Sequence, residues 1–134
     1  TALLKTIEVS MCPARGKPSI LLVNGTATVQ NLRLLMLRMR GYTVHGALSL
    51  KEARQLLTAR PYSLVIVDVG HFARPGLEFC EEIRQIQPHQ KVMLQVEDNL
   101  LPLNHDCPDK VIPKQEGPHA FVNEVEKMLS AGAS

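Results

Sequence analysis

The stretch Arg60-Pro61-Tyr62-Ser63-Leu64-Val65-Ile66-Val67-Asp68-Val69 decides the fold. Residues 64–67 are apolar at every position instead of every second one. That is the pattern of a strand covered on both faces, as in a parallel sheet packed between helices. A proline-containing turn precedes the run and a carboxylate ends it. Working outward, comparable runs occupy residues 20–23, 42–47, 92–96 and 110–112. The run at 42–47 is more mixed in polarity, which suits an edge strand.

Helical periodicities separate these runs. After Thr26 or Thr28 as N-cap, Val29, Leu32, Leu35, Met36 and Met39 recur at helical spacing. They are expected to face the core until Gly41 stops the helix. Ser49 with Glu52 three residues on forms a capping box, ahead of Ala53, Leu56 and Leu57. A third helix starts near Gly76, carries Phe79, Cys80, Ile83 and Ile86 inward, and ends by Pro88. Pro118 suits the first turn of a last helix with Phe121, Val122, Val125 and Met128 on its inner face. Residues 97–108 contain Pro102 and Pro108 and only a few leucines to bury, so at most one helical turn is expected there.

The element order is therefore βαβαβαβ–loop–βα. Right-handed crossovers turn it into an α/β fold, a doubly wound five-stranded parallel sheet of flavodoxin-like topology with the fourth helix short or missing. One domain is expected over residues 17–131, with an N-terminal tail at 1–16 and a C-terminal tail at 132–134. The chain of 134 residues is long enough to bury a core without a metal or disulfide staple.

Composition narrows the function. The net charge of +2 gives no nucleic-acid signal, and Arg33, Arg38 and Arg40 read as cations favoured near a helix C-terminus. Two Tyr, three Phe and no Trp offer little for stacking on bases or a flavin. Cys12, Cys80 and Cys107 imply no disulfide framework, and Cys80 reads as a small core residue. No run approaches a membrane span and no signal peptide is legible, so a cytoplasmic protein without direct nucleic-acid or membrane partners is expected.

In doubly wound sheets, ligands and chemistry gather beyond the carboxyl ends of the strands. The residues placed there are Asn24, Gly25 and Thr26; Asp68, Gly70 and His71; Gln95, Glu97 and Asp98; and Pro113 and Lys114. Asp68, a carboxylate at the end of a buried central strand, is the most informative. It is either a turn-forming cap or a nucleophile able to accept a phosphoryl group. His105-Asp106-Cys107 lacks the complementary ligands of a zinc site, and nothing has the pattern of a hydrolase triad, so no enzyme is indicated.

These residues resemble a bacterial two-component response-regulator receiver domain. Lys17-Pro-Ser-Ile-Leu-Leu-Val-Asn-Gly resembles its first strand, Gly41-Tyr-Thr-Val its second, and the Arg60–Val69 stretch its third with the phosphoacceptor. Gly76-Leu-Glu, eight residues after Asp68, resembles the start of the next helix. The similarity spans about residues 17 to 131. The family pattern then implies Asp68 as phosphoacceptor, and the departures fall on its chemistry. The expected acidic pair is Asn24 and Gly25, the switch hydroxyl is Gln95, and the Lys-Pro pair appears inverted as Pro113-Lys114.

Mg²⁺ prefers an oxygen shell anchored by one or two carboxylates. With Asp68 alone, and the Gly70 backbone, weak Mg²⁺ binding is the most to expect; otherwise no cofactor is indicated. Glu97 and Asp98 are the acids that would restore the pocket, against the blander reading of a solvated loop. The expectation is a pseudo-receiver that signals through a histidine kinase or an effector, or as a homodimer, with little Asp68 phosphorylation. The alternatives are a working Mg²⁺-dependent phosphoacceptor with unusual ligands, and a small phosphate- or flavin-binding protein using the Asn24–Thr28 turn.

Overall fold

The computed structural model describes residues 18–23, 27–69, 74–97, 106–114 and 117–133. The expected tail at 1–16, and Asn24, Gly25, Thr26, Gly70, His71 and Asp98 among the site candidates, lie outside the described residues. So does His105.

Five strands and four helices follow one another in the described residues: β1 (Ser19–Val23), α1 (Ala27–Met39), β2 (Thr43–Ala47), α2 (Leu50–Ala59), β3 (Leu64–Asp68), α3 (Arg74–Ile86), β4 (Lys91–Val96), β5 (Lys110–Pro113) and α4 (Pro118–Ala133). The strands form one sheet in the order β2-β1-β3-β4-β5. All four pairings are parallel. The mixed second strand is indeed at an edge, and no helix lies between β4 and β5 among the described residues. This is the doubly wound architecture expected from the pattern of runs.

Strand alternation divides the core into two layers. Leu21, Val23, Val65, Val67, Val92, Leu94 and Val96 face α2 and α3, where Ala53, Phe79, Cys80 and Ile83 meet them. Ile20, Leu22, Leu64, Ile66 and Met93 face the other side, against Leu37 of α1 and Phe121, Val122 and Val125 of α4. Asp68 and Gln95 share the parity of this second set, which places both on the α1/α4 side of the sheet.

The helix ends are made by the expected local chemistry. Ser49 Oγ accepts from the Glu52 N–H at 3.1 Å, and Glu52 Oε1 accepts from the Leu48 N–H at 2.9 Å. Gly41 takes a positive φ of 94° just past α1. The Gly41 N–H donates to the Arg38 carbonyl and the Tyr42 N–H to the Leu37 carbonyl, a Schellman closure. Gly76 is buried in the first turn of α3, where an added Cβ would stand 2.8 Å from Val69 Cγ2. The Asp68-to-Gly76 spacing thus brings α3 close over the end of β3.

Two faces differ from the periodicity. On α1, Val29, Leu32, Leu35 and Met39 are exposed, while Gln30 and Leu37 are buried. Apolar residues spread around most of the circumference of α1, so burial was settled by something other than hydrophobic spacing. Gln30 Nε2 donates to the carbonyls of Ala47 at 2.9 Å and Leu22 at 3.4 Å, joining two strand ends. Ile86, expected inward, is exposed at the last turn of α3, which starts at Arg74, earlier than Gly76 implied.

Candidate functional site

At the carboxyl end of the sheet, β3 delivers Asp68 to a position where it is 6% exposed. Its register partner on β4 is Gln95, and the Val69 N–H donates to the Gln95 carbonyl at 2.8 Å, continuing the ladder past Asp68. A bare carboxylate here would be costly, because burial in a low-dielectric site penalises an uncompensated charge.

Two cations compensate it, one on each oxygen. Arg33 Nη1 lies 2.8 Å from Asp68 Oδ2, and Lys114 Nζ lies 2.5 Å from Asp68 Oδ1. The side chains are 7% exposed for Asp68, 13% for Arg33 and 21% for Lys114. Glu97 joins the same ammonium, with Oε1 at 3.7 Å from Nζ. The four groups balance two acids against two bases. Arg33 is also held from behind, its guanidinium carbon 5.6 Å from the centroid of the Phe121 ring.

Lys114 reaches this position through the backbone. Pro113 has no N–H to give to the ladder, but the Lys114 N–H donates to the Val96 carbonyl at 2.8 Å. The inverted Pro-Lys order therefore still delivers an ammonium to Asp68. Glu97 is brought into the same cluster through Lys114.

Arg33 is the residue that sequence reasoning missed. Grouping it with Arg38 and Arg40 as C-terminal cations was an error for Arg33, since only Arg38 lies in the last turn of α1. Arg38 donates to the Val44 carbonyl at 2.6 Å and Arg40 pairs with Glu126 at 2.9 Å. A signal was present in the spacing: Arg33 follows Gln30 by three and precedes Leu37 by four, so it shares their inner stripe. A cation on an inner stripe calls for a buried counter-charge.

Gln95 is 2% exposed, and among the described residues its Oε1 has no hydrogen-bond partner. No group of three or more His, Cys, Asp or Glu side chains that could hold a metal occurs among the described residues. No helix among them is long and apolar enough to cross a membrane.

The sheet order, the carboxylate at the end of β3 and the lysine after β5 define the class: the chain has the fold of response-regulator receiver domains, of the CheY-like kind. Similar solved structures include the response regulator TrrA of Thermotoga maritima, in complex with Mg²⁺–BeF. It is 25% identical with a TM-score of 0.74, covering 84% of this chain and 99% of that one. A two-component response regulator of Clostridium difficile is 18% identical with a TM-score of 0.76, covering 88% and 100%. The signal receiver domain of an HD domain-containing protein of Pseudomonas fluorescens is 22% identical with a TM-score of 0.74, covering 86% and 96%. No protein-family model matches the sequence, and no curated protein does.

Proposed function

We propose that residues 17–131 form a receiver-type module of two-component signalling, acting in the cytoplasm, in which Asp68 is not an efficient phosphoacceptor. The module passes its signal through protein contacts, with a histidine kinase or an effector, or with a second copy of itself. It performs no turnover of its own.

The observation that carries this reading is the Arg33–Asp68–Lys114 clamp. Phosphoryl transfer to a carboxylate relies on a free nucleophilic oxygen, in-line positioning and neutralisation of the phosphoryl charge. TrrA was solved with Mg²⁺–BeF, and the corresponding ion does not fit the described residues around Asp68. Mg²⁺ takes an octahedral shell of oxygens at short range. Here Asp68 Oδ2 already faces a guanidinium and Oδ1 an ammonium, and Glu97 lies within ion-pair distance of that same ammonium. An entering divalent cation would have to displace Arg33 or stand beside it with like charge. Gly25, at a position where the family pattern implies an acid, has no side chain to help.

Arg33 is in effect a built-in cation on the carboxylate. It neutralises Asp68 without leaving the coordination sites that a metal would leave to a phosphoryl group. The test is incubation of the purified chain with acetyl phosphate, or with beryllofluoride, plus Mg²⁺, read by intact-mass spectrometry and by NMR shifts around Asp68. Little or no modification is expected. Stoichiometric, Mg²⁺-dependent modification of Asp68 would overturn the proposal in favour of a working phosphoacceptor.

A further inference from the structure

Cys80 and Cys107 are far apart in the chain, and their spacing implies no bond between them. The fold brings the two thiols together. Cys80 is fully buried on the inner face of α3, in the core layer that α3 shares with the sheet. Cys107, in the irregular segment that leads into β5, packs against that same layer and is only partly buried. The two sulfurs are in hydrogen-bonding contact, and neither is in a disulfide. Arg84, one helical turn after Cys80, holds the arrangement. Its guanidinium donates to the Cys107 carbonyl at 2.8 and 3.0 Å and also contacts the Cys107 side chain. One helix thus carries the first cysteine and grips the backbone of the second.

The two thiols differ in access, and access fixes the order in which they can react. Cys80 is 0% exposed. Burial, ahead of the neighbouring Cys107, pushes its thiol well above the ordinary range. A dissolved reagent therefore neither reaches Cys80 nor finds a thiolate there. Cys107 does reach solvent. Once Cys107 is oxidised, a second thiol is already in contact with it, so the next step needs no further encounter.

We infer that Cys107 and Cys80 form a reversible disulfide site for a small hydroperoxide, Cys107 reacting first and Cys80 resolving it. With hydrogen peroxide, the Cys107 sulfur attacks one oxygen and the O–O bond breaks. A sulfenic acid forms, and the departing hydroxide leaves as water with the Cys107 proton. Cys80 then attacks that sulfur: the S–S bond forms, the S–O bond breaks, and the hydroxyl leaves with the Cys80 proton as a second water. The two sulfurs give up two electrons and the peroxide takes both. Closing the sulfurs to the about 2.05 Å of a disulfide requires a shift. Cys107 lies outside helix and strand and is the side able to supply it. The bond ties the segment leading into β5 to α3 covalently, where Arg84 ties it by hydrogen bonds. In a reducing compartment such a bond is transient and acts as a signal. The inference does not depend on whether Asp68 is phosphorylated.

The test treats the reduced full chain with a small excess of hydrogen peroxide under native conditions. Intact mass should fall by about 2 Da, and thiols counted after denaturation should drop from three to one. Proteolytic mapping without reductant should join Cys80 to Cys107 and leave Cys12 as a thiol, and dithiothreitol should restore the starting mass. Hydrogen exchange at Asp109 and Lys110 should slow in the oxidised chain. In Cys80→Ala, which lacks the resolving thiol, Cys107 should instead gain about 32 Da as a sulfinic acid. Should the loss of a buried side chain unfold that variant, Cys107→Ser at the partly exposed position carries the test: it should show no loss of 2 Da and leave Cys80 unmodified. An unaltered chain that keeps its mass would overturn the inference. So would a bond to Cys12 or between two chains, a sulfinic acid on Cys107, or unchanged exchange at Asp109 and Lys110.

Discussion

Arg33 and Asp68 are 35 residues apart in the chain and 2.8 Å apart in the fold, joined by a largely buried ion pair that ties the middle of α1 to the end of β3. The pair is completed by Lys114 on the opposite carboxylate oxygen. One buried acid between two bases is stable only as a set, and its members differ in what their removal leaves behind.

Removing Arg33 leaves Asp68 with Lys114, whereas removing the charge of Asp68 leaves two cations facing each other. Arg33→Met should therefore cost about 1.5–3 kcal/mol, the range for hydrogen bonds to charged groups. Asp68→Asn should cost more, about 3 kcal/mol or above, because it strands the partly buried Arg33 and leaves Lys114 only the more distant Glu97, at 3.7 Å. Urea denaturation of both variants checks the order. Equal or reversed losses would show that the clamp is not the unit described.

Arg33→Met also frees Asp68 Oδ2 and takes away the competing cation. Mg²⁺ should then bind the variant more tightly than the parent chain, seen as Mg²⁺-dependent amide shifts around residues 67–69 at lower metal concentration. Unchanged Mg²⁺ response in a folded variant would mean that Arg33 is not what keeps the ion out.

Exchanging Pro113 and Lys114, to the Lys-Pro order that receiver domains carry, should not improve this chain. The exchange deletes the Lys114 N–H that donates to the Val96 carbonyl, a loss of about 1 kcal/mol. It also moves the ammonium one residue along the strand, away from Asp68 Oδ1. A swapped variant as stable as the parent, in thermal or urea melts, would contradict the backbone account of Lys114.

Arg84 pins the β4–β5 connection to α3. Its guanidinium donates to the Cys107 carbonyl at 2.8 and 3.0 Å, the Gln90 carbonyl at 2.5 Å, the Pro88 carbonyl at 3.2 Å and Asp109 Oδ2 at 2.6 Å. Asp109 Oδ2 in turn accepts from the Val92 N–H at the start of β4. Arg84→Lys keeps the charge but cannot span these acceptors, so a loss of about 2–3 kcal/mol is expected despite its conservative appearance. Hydrogen exchange should speed up at Asp109 and Lys110 before the rest of the sheet. A variant unchanged in both readings would show that the fan of bonds is not what holds the connection.

His45 on β2 makes stability depend on pH. Its Nδ1 lies 3.1 Å from the Tyr62 hydroxyl and its Nε2 lies 3.3 Å from Arg60 Nη1. Nε2 can accept from Arg60 only as a neutral ring, with Nδ1–H turned to Tyr62. Burial first, then the charges of Arg60 and Arg38, holds its pKa below the ordinary 6.5. The unfolded chain therefore takes up the proton at higher pH than the folded one. This contribution to stability is complete above the unfolded value and falls as pH drops through it toward the folded one. Between about pH 7.5 and pH 5, the urea midpoint should fall more for the parent chain than for His45→Gln. Parallel profiles would remove His45 from the account.

Much of this was legible in the sequence. The uninterrupted run at 64–67, the turn chemistry of Gly41 and the Ser49–Glu52 box are local features, and each acts in the fold as its local chemistry requires. Asp68 was found for the same reason: a carboxylate directly after a doubly buried strand is unusual wherever the chain goes next. Arg33 and the inner face of α1 were not found. Val29, Leu32, Leu34, Leu35, Met36, Leu37 and Met39 wrap most of the helix in apolar side chains, so a periodicity has no single face to report.

Local patterns of burial along the chain were enough to mark the strands and helices, their parallel arrangement, and the acid at the C-terminal end of β3. Those follow from burial patterns and caps, which act over a few residues. Which cations meet that acid depended on how the elements pack in three dimensions. Parity along β3 puts Asp68 on the α1/α4 side. Gln30 fixes the rotation of α1 by capping two strand ends, and the ladder bond from Lys114 to Val96 sets the reach of the ammonium. A buried charge takes its partner from whichever element the fold brings within about 3 Å, and that distance is not written in any local stretch of chain.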